Sequence, residues 1–370
     1  MTRLSDDTFA TLLLCGGLGG KQNPAGPLTR KEWNSLVRSL IRANWRPGDV
    51  MRWGIDAAQA ALGLEEAATA RLGALLSQSL LVASEVERLA GAGIGISSRA
   101  DESYPSRWKA RLRELSPPLL FVAGPVASLE RGGIAAVGSR DVDEDGTAFA
   151  RRVGGAAARA RTPLISGGAR GVDREAMIGA LDAGGEAIGI LPDGLSRTLR
   201  SPDIRRWVAE GQLVLVSPHR PDAGFRVGNA MSRNKLIYAL ADVSIVVSSD
   251  AGRGGTWAGA TENLRNDWSP LFVRAEEGAP EGNRRLIDLD GLPLVQADID
   301  IENTGGLLLR LLDRASQESV VANSRSNQQP LLDGHNVANT SSPPGPQDSA
   351  SAHHEAALAS ARNPDQLELL

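Results

Sequence analysis

Pro163-Leu164-Ile165-Ser166-Gly167-Gly168-Ala169-Arg170-Gly171-Val172-Asp173 reads as a short apolar strand, a glycine-rich turn and the opening of a helix that continues to Ala183. A strand without polar alternation must be covered on both faces. The same unit repeats outward in both directions. Apolar runs fall at 134–137, 163–166, 187–191, 213–217, 243–248 and 270–273. Segments of helical length and composition lie between them, at 146–161, 172–183, 202–210, 232–241 and 257–265. Continuous apolar strands alternating with helices define a doubly wound α/β domain around a mostly parallel sheet.

The flanks differ. Residues 1–95 read as a small helical domain. Thr29-Arg30-Lys31-Glu32 is a capping box with Thr29 as N-cap, and Trp33, Leu36, Leu40 and Ile41 follow at helical spacing. Alanine- and leucine-rich segments continue to Leu89, where Gly91 and Gly93 supply a stop. Trp33, Trp45 and Trp53 sit in apolar settings and read as core or interdomain anchors rather than base-stacking platforms. After the α/β region at 96–300, a closing helix is expected at 301–314. Residues 315–370 hold no Phe, Trp or Tyr and are rich in Ser, Pro and Asn, the composition of a disordered tail.

Composition excludes several functions. The net charge of −4 argues against a globally basic nucleic-acid coat, although 131–260 carries 17 basic and 14 acidic residues. A lone cysteine, Cys15, excludes an intramolecular disulfide framework and a multi-cysteine zinc site. Of four histidines only His219 lies outside the tail, which disfavours a histidine metal site or a Ser-His-Asp triad. No run reaches the ~18 apolar residues of a membrane helix, and acidic residues precede the first apolar run, so a cytoplasmic protein without membrane contact is expected.

In a doubly wound sheet, ligands bind beyond the carboxyl ends of the strands. Gly138-Ser139-Arg140 follows the first run and Ser166-Gly167-Gly168-Ala169-Arg170-Gly171 the second. A later helix carries Arg233-Asn234-Lys235, and the fifth run is followed by Asp250-Ala251-Gly252-Arg253-Gly254-Gly255-Thr256. Glycines let backbone N–H groups approach an anion, helix N-termini add a positive dipole, and Arg offers a planar fork for phosphate. The candidate phosphate-contact residues are therefore Gly138, Ser139, Arg140, Ser166, Gly167, Gly168, Arg170, Gly171, Arg233, Asn234, Lys235, Gly254, Gly255 and Thr256. Asp173, in the first turn of its helix, is structural support, and His219 reads as a solvent-facing loop residue. No Walker or G-x-G-x-x-G pattern occurs at these tips. No catalytic residue, cofactor or metal is expected.

These residues resemble the DNA-processing protein A (Smf/DprA) family. The resemblance runs through Tyr104-Pro105, Pro117-Pro118, Val137-Gly138-Ser139-Arg140, Ser166–Asp173, Arg233-Asn234-Lys235-Leu236-Ile237, Gly255-Thr256 and Gly282-Asn283-Arg284-Arg285-Leu286-Ile287, in order over about 95–295. It implies an extended Rossmann-like domain that binds single-stranded DNA without cutting it, shields incoming strands and helps load a RecA-type recombinase in transformation. It also implies phosphate contacts from Arg140 and the Arg233–Lys235 segment, a pocket shaped by Ser166–Asp173, and a homodimer.

There are departures from the family pattern. Ala230-Met231 stands where the family usually has Phe-Pro, and Phe225, five residues upstream of Ala230, is the substitute aromatic. No winged helix is legible in the tail. A nucleotide-ligand sensor of the same superfamily, with a role in phage defence, is the alternative. A phosphoribohydrolase is disfavoured because Glu262 lies nearly a helical turn, about 5 Å, beyond the position that chemistry needs.

Overall fold

The computed structural model describes residues 4–19, 26–300 and 306–326. Six helices, Asp6–Cys15, Arg30–Arg42, Pro47–Trp53, Ile55–Leu62, Glu66–Leu76 and Ser79–Gly91, precede the sheet. Their own core gathers Leu14, Trp33, Leu36, Leu40, Val50, Ala58, Leu72 and Leu75. The helix Asp6–Cys15 joins this core to the sheet, because Leu14 faces the helices while Leu12 and Leu13 pack into the sheet core. Trp33 is buried and Trp45 packs against the helical core, but Trp53 is 61% exposed.

The Thr29 capping box is formed. Thr29 N donates to Glu32 Oε2 at 2.7 Å, Thr29 Oγ1 accepts from Glu32 N at 3.4 Å, and Arg71 Nη1 donates to Glu32 Oε1 at 2.6 Å. The Thr29 backbone donor, then Arg71, pulls the Glu32 carboxyl down to about 2. A depressed carboxylate stabilises the fold above its unfolded value of about 4.3 and loses that contribution as pH falls toward the folded value. Glu32 is 43% exposed, so solvent screening limits the effect to about 0.5 kcal/mol. Glu32→Gln keeps the cap but removes the charge, and its deficit in urea denaturation at pH 7 is expected to shrink between about pH 4 and pH 2. A deficit unchanged across that range would contradict the assignment.

Among the described residues nine strands form one sheet: β1 (Ile94–Ser98), β2 (Leu119–Ala123), β3 (Ile134–Gly138), β4 (Leu164–Ser166), β5 (Ala187–Ile190), β6 (Leu213–Ser217), β7 (Val243–Ser248), β8 (Leu271–Arg274) and β9 (Leu292–Leu294). Their spatial order is β1-β2-β6-β5-β4-β3-β7-β8-β9. From β6 to β9 neighbours run parallel, while β1 and β2 add antiparallel pairs at the edge. Both faces are covered. Ile134 and Ala136 belong to one core cluster, Ala135 and Val137 to the other, and the same alternation holds along β6. This is the doubly wound, Rossmann-like architecture. The expected strands and helices lie where the apolar runs placed them, and β1, β2 and β9 are additions.

The chain winds from β3 outward through β4 and β5 to β6. It then returns through the helix Val227–Leu240 to β7, on the other side of β3. The winding direction therefore reverses between β3 and β7. At such a reversal the loops after the two strands diverge and leave a crevice.

At the C-terminus a helix spans Leu307–Ser326, seated on the sheet core by Leu307, Leu311 and Ala315. The i, i+4 spacing of these three residues carries the helix past 314, where composition alone places the start of the tail. Of the expected tail, 327–370 lies outside the described residues, as does 301–305. No helix among the described residues is long and apolar enough to cross a membrane.

Candidate nucleic-acid interface

A cleft of about 510 Å³ opens at the reversal point, beyond the carboxyl ends of β3 and β7. One wall is the Gly138-Ser139-Arg140 turn. The wall opposite is Phe225 with the first turns of the helix Val227–Leu240, and the third is the Arg253-Gly254-Gly255-Thr256 entry to the helix Gly254–Asn266.

Backbone contacts set the first wall. Ser139 N donates to Ser248 O at 2.9 Å, and Val172 N donates to Ser139 O at 3.2 Å. Gly171 has φ 83°, and a Cβ there would collide with the carbonyl oxygens of Ser139 and Arg140. Only glycine permits that approach. The Ser166–Asp173 loop thus braces the turn from behind, and Ser166, Gly167, Gly168, Arg170 and Gly171 do not line the cleft. Ser166 is fully buried, its Oγ donating to Ala136 O at 2.7 Å. Arg170 pairs instead with Asp141 at 2.7 Å on the surface.

The floor is charged and buried. Asp173 is 7% exposed and Arg233 is 4% exposed. They face each other across Gly167, where a Cβ would strike both the guanidinium and the carboxylate. Arg233 Nη1 donates to Ile190 O at 2.7 Å, while its buried Nε has no partner among the described residues. Burial pushes the Asp173 carboxyl up; the Arg233 charge and the N–H groups of Ala169 and Gly138 oppose that shift. Burial also pulls the Arg233 guanidinium down against the pull of Asp173. Beside them Tyr238 is 1% exposed, with its hydroxyl unpartnered among the described residues and its pKa pushed up by burial.

The rim carries the accessible cations. Arg140 is exposed, forms no ion pair among the described residues, and lies over the Phe225 ring, its Cζ 5.5 Å from the centroid. Phe225 therefore supplies the aromatic face that the Ala230-Met231 departure had removed. Arg253 is 81% exposed and meets Asp250 at 3.5 Å.

The expected cluster Arg233-Asn234-Lys235 divides three ways. Arg233 goes to the floor, and Asn234 Nδ2 donates to Gly255 O at 2.9 Å, holding the third wall. Lys235 is outside the cleft, its Nζ 3.0 Å from Glu262 Oε1. Successive helical residues turn by about 100°, so three in a row cannot share one face.

Two motifs acquire a physical role. Asn283 is buried; its Oδ1 accepts from Ser249 N at 2.9 Å, and its Nδ2 donates to Val247 O at 3.0 Å and Arg274 O at 2.9 Å. It thereby pins the loop leading from β7 to the third wall. Behind the second wall, Tyr104 stands edge-on to Trp108, whose Nε1 donates to Leu236 O at 2.8 Å. Tyr238 had no signal in the sequence beyond its place in an apolar helix face. His219 also differs from expectation: it is half-buried and lines a second cleft, and among the described residues its buried Nε2 has no partner.

An arginine with no ion pair among the described residues, a helix N-terminus and an aromatic ring meet at the reversal point of a doubly wound, Rossmann-like sheet. A family model described as DNA recombination-mediator protein A matches residues 95–291, more than half of the chain. The chain belongs to that family, the DprA/Smf proteins. Its fold is similar to that of DNA processing protein A from Streptococcus pneumoniae, with a TM-score of 0.58 and 17% identity over 79% of this chain and 95% of that one. The Helicobacter pylori protein, whose single-stranded DNA binding mode has been described, matches with a TM-score of 0.47 and 20% identity, over 61% of this chain and 98% of that one. No curated protein matches in sequence.

Proposed function

We propose that this chain is a non-enzymatic single-stranded DNA-binding protein of the DNA-processing type. It protects incoming strands and passes them to a RecA-type recombinase in transformation or recombination. The observation that carries this reading is Arg140, unpaired and lying over Phe225 at the mouth of the cleft. A cation beside an aromatic face suits a sugar–phosphate backbone with bases that stack without regard to sequence. A binding role rather than a cleaving one is supported by Glu262, which pairs with Lys235 away from the cleft.

Fluorescence anisotropy of labelled oligo-dT over a range of salt tests the reading. Binding is expected at low salt, with log K falling linearly against log salt. No binding, or binding indifferent to salt, would refute it. The buried, unpartnered Tyr238 hydroxyl and Arg233 Nε favour a second reading, a sensor for one nucleotide ligand. Calorimetry with mono-, cyclic and dinucleotides beside the oligonucleotide separates the two. The homodimer and the recombinase contact belong to the first reading, and sedimentation with and without a RecA-type protein tests both.

A further inference from the structure

A second cleft, of about 620 Å³, lies between the helical N-terminal region and the strand tips of β2 and β6. Its polar lining comes from Gln78 on one side and from His219, Arg220, Arg226 and Asn229 on the other. No carboxylate lines it among the described residues. Arg220 is met by Asp222 at 3.0 Å, whereas Arg226 is exposed and forms no ion pair among the described residues. Burial, then the Arg226 charge, pulls the His219 pKa down, which favours the neutral imidazole, and among the described residues its shielded Nε2 has no partner.

The two clefts share a ridge. Phe225 and Val227 line the first, while Gly224 and Arg226 line the second. The backbone at Arg226 is extended, with φ −138° and ψ 136°. Extended backbone sends successive side chains to opposite sides, which is why alternate residues of one short segment serve alternate clefts. The aromatic face that holds Arg140 is thus one residue from a free arginine that faces the other way.

We propose that a single strand bound in the first cleft crosses the Gly224–Val227 ridge into the second, where Arg226 takes a backbone phosphate and the helical region forms the far wall. The inference rests on the single-stranded DNA reading and extends it. It gives the helical region a part in binding that its sequence did not suggest. A free phosphate group would be drawn by the same arginine, so the test separates a strand from a small ligand.

The full chain is titrated with oligo-dT of about four and about sixteen nucleotides, lengths that bracket common single-strand site sizes. For the longer strand, Arg226→Ala is expected to lower the salt slope by about 0.7. Between 50 and 200 mM salt that is a roughly two- to threefold smaller loss of affinity than in the unmodified chain. Binding of the short strand stays unchanged, Arg226→Lys retains the full slope, and thermal unfolding shows both variants folded. An equal loss on both lengths would place Arg226 in the first cleft, and no loss on the longer strand would leave it without a role in binding. Either result overturns the proposal while the binding reading stands. Thymidine triphosphate binding that depends on Arg226, with no dependence on oligonucleotide length, would assign the second cleft to a small ligand and overturn it too. If the unmodified chain binds neither strand, the functional reading itself fails.

Discussion

A chain carrying both Arg140→Ala and Arg253→Ala is expected to lose most of its affinity for single-stranded DNA while remaining folded. Both guanidinium groups stand at the cleft rim, one over Phe225 and one beside the N-terminus of the helix Gly254–Asn266. Removing one cation from a phosphate should lower the salt slope by about 0.7, so the double replacement lowers it by about 1.4. A charge-assisted hydrogen bond contributes about 1.5–3 kcal/mol before screening, and even heavily screened the pair should account for roughly tenfold or more in affinity. The loss should be alike for all sequences, because backbone contacts carry no base information. Stability should change by no more than about 0.5 kcal/mol, since neither side chain contributes to the core. Lys235→Ala should cost little affinity, because that lysine faces Glu262. Arg159, exposed at the end of the helix Glu144–Arg159, is the distant control. Arg159→Ala weakening binding as much as Arg140→Ala would move the DNA to another face.

Asp173→Ala should have the largest effect on stability, about 3 kcal/mol, because it removes the larger of the two carboxylate attractions, Asp173 then Asp193, that oppose the burial of the Arg233 guanidinium. The cost is that of a buried guanidinium left with Asp193 as its remaining opposing charge, above what an exposed ion pair contributes. Arg233 cannot relieve it by turning outward, since its Nη1 is tied to Ile190 O inside the fold. Equilibrium urea denaturation reads the change as a lower midpoint with an unchanged slope. The double replacement Asp173→Leu with Arg233→Met should recover much of the stability, as a buried pair exchanged for apolar groups is often near neutral. A single Asp173→Ala variant within about 1 kcal/mol of the parent would show that the two charges are not coupled.

The strands β3 to β8 and the helices between them were legible because their signals are local: unbroken apolar runs, helical spacing, and glycines at turns. The strands β1, β2 and β9 were not, because short edge strands become strands only through pairing with a neighbour. The helix Leu307–Ser326 shows the converse, a polar-looking segment held past residue 314 by Ala315 on the sheet core.

The sequence by itself determined the layered α/β architecture, the strand tips that could meet a ligand, and the motifs that mark the family. Each depends on residue type and spacing along a few turns of chain. Tertiary structure alone decided which tips converge and which cations reach solvent. Arg233 and Lys235 sit two residues apart on one helix, about 200° around its axis. One therefore opposes Asp173 under the cleft floor, and the other meets Glu262 on the next helix. Arg140 and Phe225 are distant in sequence and meet only because the chain crosses back from β6 to β7 at the reversal point. Charge in a sequence is a set of possible contacts; burial and helical phase decide which of them a ligand can reach.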